Sequence, residues 1–64
     1  MLLDTRVAKY FGGKLHFGTV NNYSSDESWW RVKYDDNDEE EMDRREIIQA
    51  IILRDDNAQD DPLH

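Results

Sequence analysis

Trp29-Trp30-Arg31-Val32-Lys33-Tyr34 decides how this chain folds. Trp30, Val32 and Tyr34 fall on one side of an extended strand, and Trp29, Arg31 and Lys33 on the other. Such strict alternation of large β-favouring side chains predicts a strand with one buried face. Downstream, Asp36-Asn37-Asp38 predicts a tight hairpin turn, with Asn37 suited to a left-handed backbone. Residues 39–42 then form the return strand. Its acidic side chains keep an exposed edge from pairing with another chain. Upstream, residues 24–28 are polar and turn-like. Before them Lys14–Tyr23 predicts a longer strand, with Gly18 expected to mark a bulge or bend. Gly12-Gly13 breaks that strand from an earlier one over Arg6–Phe11.

At Asp43 the pattern changes. Asp43 and Glu46 fit a capping box. Ile47, Ile48, Ile51 and Ile52 recur at helical spacing and predict an amphipathic helix over about 43–54. Isoleucine is a poor helix former, so packing on the sheet must stabilise it. Trp29 is expected to cover this isoleucine stripe. Residues 55–64 read as an acidic, disordered tail, so residues 1–54 are taken as the folded domain. The pattern is mainly β: a small antiparallel barrel of four to five strands with a C-terminal α-helix.

The 64 residues suffice for one domain, and their net charge of -7 is unevenly spread. Residues 1–34 hold five basic and three acidic side chains, whereas residues 35–64 hold three basic and twelve acidic ones. An acidic chain is a poor general binder of nucleic acid, whose affinity comes largely from cations meeting phosphates. No apolar run is long enough for a transmembrane helix, and no signal peptide is visible. With no cysteine there is neither a disulfide nor a thiolate metal site. Residues 35–46 depart from a calcium loop, because Glu40 stands where the loop needs glycine. Nothing clusters as nucleophile, base and orienting group, so no enzyme and no cofactor are expected.

The run Arg6-Val7-Ala8-Lys9-Tyr10-Phe11-Gly12-Gly13-Lys14-Leu15-His16-Phe17-Gly18-Thr19-Val20, followed by Trp30-Arg31-Val32-Lys33-Tyr34-Asp35-Asp36-Asn37-Asp38-Glu39-Glu40, resembles a Tudor domain. The likeness covers roughly residues 6–46. It is nearest to Tudor domains of plant and protist chromatin proteins that also carry PHD fingers and DDT domains.

The resemblance implies an SH3-like barrel of the Royal family, a nuclear location, and reading of methylated lysine or arginine on histone tails. Such reading sets a cation against aromatic faces. Carried over position by position, the first-strand cage aromatic falls on Tyr10, the second on His16, the third on Tyr34 and the fourth on Glu40. Asp36 and Asp38 flank the mouth. Two tyrosines with nearby acids suit a lower methylation state or an unmodified basic peptide. The domain is expected to be monomeric, and Tyr34→Ala to abolish binding while leaving the fold intact. The other reading is a protein-interaction or structural domain that uses the isoleucine-rich helix, without modification-specific binding.

Overall fold

The computed structural model describes residues 2–63. Four strands, β1 (Arg6–Phe11), β2 (Lys14–Ser24), β3 (Trp29–Tyr34) and β4 (Glu39–Asp43), form one antiparallel sheet in the order β1-β2-β3-β4. Helix α1 (Arg44–Asp56) and a short 3-10 turn at Ala58–Asp60 follow. The sheet curls into a half-barrel, and α1 packs chiefly on β1 and also on β4. Those are the two edge strands, so the helix covers the seam that a closed barrel would seal with backbone hydrogen bonds.

Turn chemistry sets the register. Gly12 and Gly13 both have positive φ, 54° and 79°, as a two-residue hairpin turn of the primed type requires. The turn pairs Phe11 with Lys14, Lys9 with His16 and Val7 with Gly18. At the β3–β4 turn Asn37 takes φ 75°, and the Tyr34 amide donates to the Asp38 carbonyl at 2.7 Å. The bulge in β2 lies between Val20 and Asn22, not at Gly18. Gly18 instead marks a close approach. A Cβ there would stand 2.9 Å from the Lys33 carbonyl oxygen and 3.0 Å from the Tyr34 ring.

Direct cross-strand partners point to the same face. The concave face therefore carries Val7, Val20, Trp30, Val32, Tyr34 and Met42, which form the core with Ile47 and Ala50 of α1. The Asp43–Glu46 capping box forms: the Glu46 amide donates to the Asp43 carboxylate at 2.9 Å, and the Asp43 amide to Glu46 at 3.2 Å. The helix runs on to Asp56, two residues beyond its expected end.

Three local expectations change. The four isoleucines do not act as one stripe. Ile47 is buried and Ile51 partly so, but Ile48 and Ile52 stay 44% and 49% exposed. The face that meets the sheet follows Ile47, Ala50 and Ile51, and positions 48 and 52 are rotated off it. Trp29 does not cover the helix, because its parity places it on the convex side. Its indole N–H donates to Glu27 at 3.0 Å, and the Arg31 guanidinium lies 5.5 Å from its ring.

The segment after Arg54 is not a free acidic tail. Beyond the 3-10 turn, the Asp61 carboxylate is buried against Arg6, with Nη2–Oδ1 at 2.6 Å and Nε–Oδ2 at 3.0 Å. Arg6 also grips Asp35 with two parallel bonds of 3.0 and 2.9 Å and donates to Thr19 at 2.8 Å. The Asp35 and Asp61 hydrogen bonds raise the Arg6 pKa, and the Arg6 bond holds Asp61 below the usual carboxylate range.

Candidate functional site

The concave face ends in a cleft of about 320 Å³, lined by Phe11, His16, Tyr34, Asp36, Asp38, Glu39 and Glu40. Register explains the set. His16 faces Lys9 across β1–β2, and Phe11 is the next residue of β1 with that orientation. Tyr34 stands opposite Gly18 on the same face, and Glu40 opposite Val32. The missing Gly18 side chain leaves room for the Tyr34 ring.

Phe11 is the central ring. It meets His16 edge-on at 5.2 Å between centroids and Tyr34 at 5.1 Å, nearly perpendicular to it. These are favoured edge-to-face arrangements. Tyr34 is only 3% exposed, and its hydroxyl donates to Glu40 Oε1 at 2.8 Å. Burial, and then this bond to a carboxylate, pushes the phenol pKa well above its ordinary value. Glu40 Oε1 also accepts from Lys9 Nζ at 2.9 Å. Asp36 Oδ2 lies 3.6 Å from His16 Nδ1, while Asp36 Oδ1 accepts from the Asp38 amide at 3.2 Å. The lining thus joins three rings to four carboxylates and holds no lysine or arginine.

Five of the six expected residues come together here: His16, Tyr34, Asp36, Asp38 and Glu40. Tyr10 does not. It is 55% exposed, pairs with Leu15 and points to the convex side, so Phe11 takes the place expected for it. The sequence held the signal. A two-residue turn at Gly12-Gly13 sets His16 opposite Lys9, which puts the odd-numbered residues of β1 on the cleft side. The expectation for Tyr34→Ala also changes, because Tyr34 belongs to the core and its truncation would damage the fold.

Beyond the Lys9–Glu40 bridge lies a larger groove of about 470 Å³ beneath α1, with Ala8, Met42, Ala50, Ile52 and Leu53 among its apolar lining. Among the described residues no group of three or more His, Asp or Glu side chains is placed to hold a metal ion.

A curled four-stranded meander capped by a helix, with an aromatic and acidic cleft at one end, is the architecture of a small SH3-like binding module. Residues 5–51 match the family model described as PTM/DIR17-like, Tudor domain. The chain belongs to that family of Tudor domains, which are binding modules. It is 35% identical over 46 residues to Dirigent protein 17 of Arabidopsis thaliana, an alignment that spans 72% of this chain but 17% of that relative. No solved structure matches.

Proposed function

We propose that this Tudor domain is a nuclear, chromatin-associated module that binds a basic segment of a histone tail, with its lysine or arginine methylated or unmodified. The observation that carries the reading is the lining of the cleft, with Phe11, His16 and Tyr34 set against Asp36, Asp38, Glu39 and Glu40. Aromatic faces attract a cation through their quadrupole, and carboxylates add charge and accept its N–H groups. The acidic stretch from Asp35 to Glu41 also draws a Lys- and Arg-rich chain toward the mouth.

An NMR titration with histone-tail peptides, unmodified and methylated, tests this. Shifts are expected at Phe11, His16, Tyr34 and residues 36–40. Phe11→Ala should weaken binding by about tenfold or more, whereas Tyr10→Ala should leave it unchanged. Shifts confined to other surfaces, or none at millimolar peptide, sink the reading.

A second reading rests on Ile48 and Ile52, which present apolar surface on α1. It makes the helix a contact surface for another protein. Interface shifts on α1 rather than in the cleft would favour it.

A further inference from the structure

Lys9 already stands where a bound cation would. Its ammonium lies 2.9 Å from Glu40 Oε1, 4.0 Å from Glu46 Oε2 and 5.3 Å from the centroid of the Phe11 ring. Of these, Glu40 and the Phe11 ring are the groups by which the cleft would hold a lysine of a partner. Glu40 is thereby committed twice, because the same oxygen accepts from the Tyr34 hydroxyl.

We infer that Lys9 is an internal competitor for the cation site, and that it sets the selectivity of the cleft by occupying Glu40 and the Phe11 ring until a ligand cation displaces it. This rests on the reading of the cleft as a site for a basic peptide, and it adds a residue that lies outside the cleft lining. A ligand cation can take up Glu40 Oε1 and the Phe11 face that Lys9 covers only after the Lys9 ammonium has left. Displacement is feasible because Lys9 is tethered by a flexible four-carbon stem and its side chain keeps 34% exposure. On release the ammonium can hydrate in solvent. The remaining acids of the rim, Asp36, Asp38 and Glu39, are not engaged by Lys9 and supply the first encounter with the incoming cation. The bridge therefore filters ligands: one that brings a single weak charge fails to dislodge Lys9, and one that also engages the outer acids succeeds.

The test is a titration of the wild type, Lys9→Met and Lys33→Met with a synthetic histone-tail peptide carrying unmodified lysine and with its trimethylated form, followed by NMR. Methionine keeps an unbranched apolar stem, makes the side chain one atom shorter than that of Lys9, and removes the charge. Lys33 is exposed, and no ion pair engages it among the described residues, so its variant controls for the loss of one positive charge from the sheet. Lys9→Met is expected to tighten binding about three- to tenfold, with Lys33→Met changing it less than about twofold. In the wild type the Lys9 side-chain resonances should move as peptide is added. Equal or weaker binding by Lys9→Met, with shifts still centred on Phe11, His16 and Tyr34, overturns the competitor role and leaves the cleft reading standing. An absence of cleft shifts in every protein overturns both. Should the methionine variant lose its native spectrum, Lys9→Gln carries the same expectation.

Discussion

The Tyr34 hydroxyl donates to Glu40 across the β3–β4 hairpin at 2.8 Å, and the same carboxylate reaches Lys9 on β1. One acidic side chain on an edge strand thus ties the most buried ring of the cleft to the opposite edge of the sheet. No backbone ladder joins β1 to β4. Side chains and α1 span that seam instead. The bridge closes the back of the cleft, and it couples the packing of Tyr34 to the position of Lys9.

Tyr34→Phe should separate the hydroxyl from the ring. The core keeps its packing, Glu40 keeps Lys9, and the cost is about 1 kcal/mol. The pH dependence should differ as well. The phenol pKa is raised in the folded state, so its contribution to stability is full below the ordinary value near ~10 and falls as pH rises above it. Urea unfolding at neutral pH and again at alkaline pH should show the wild type losing more stability than Tyr34→Phe. Parallel losses in the two proteins would contradict this placement of the hydroxyl.

Gly18→Ala should reach the cleft from behind. The added methyl would meet the Lys33 carbonyl oxygen and Val32 Cγ1 at 2.9 Å, and the Tyr34 ring at 3.0 Å. A backbone oxygen cannot swing aside as a side-chain end can, so strands β2 and β3 must part locally. A loss of about 2 kcal/mol is expected, with NMR shifts at Tyr34 and Phe11. Denaturant unfolding measures the loss, and an unchanged midpoint would refute the close approach.

Arg6→Ala should unfasten three segments at once. Arg6 joins β1 to Asp35 at the start of the acidic turn and to Asp61 beyond α1. Its removal leaves the buried Asp61 carboxylate without its main partner, a change worth about 3 kcal/mol. Asp61→Asn tests the acid side. The Asp61 pKa is lowered in the folded state, so its contribution is full above the ordinary carboxylate value near ~4 and is lost as pH falls below it. Wild-type stability should therefore drop more steeply than that of Asp61→Asn on acidification. Chemical denaturation at neutral pH and near pH ~3 reads the difference.

How far the sequence reveals the site follows from what governs each part. Alternation in Trp29–Tyr34 and the glycine pair are local signals, and they suffice for the strands and their order. The capping box is equally local. Of the cleft residues, Tyr34 is placed on its face by the alternation of β3, whereas His16 and Glu40 enter only through the likeness to Tudor domains. That likeness puts Tyr10 in the place that Phe11 takes, because position-by-position transfer ignores the register that the Gly12-Gly13 turn imposes. Composition alone misassigns Asp61, because a run of acids reads as solvated chain. Its burial depends on an arginine 55 positions away. The isoleucines are ambiguous for another reason. Four β-branched residues in two adjacent pairs cover more of the helix circumference than one sheet can bury.

That ambiguity leads to a prediction on α1. Ile47 is 1% exposed and packs in the core, while Ile48 and Ile52 are turned toward solvent. Ile47→Ala should leave a cavity among Trp30, Met42 and their neighbours and cost about 3 kcal/mol. Ile48→Gln and Ile52→Gln alter half-exposed side chains outside the core cluster and replace a β-branched residue with a better helix former. Each should shift stability by no more than about 0.5 kcal/mol. Thermal unfolding monitored by circular dichroism distinguishes the two classes. Equal losses at positions 47 and 48 would mean that α1 is rotated on its own axis relative to the sheet. The floor of the groove formed by Ala8, Met42 and Ala50 would then have to be redrawn.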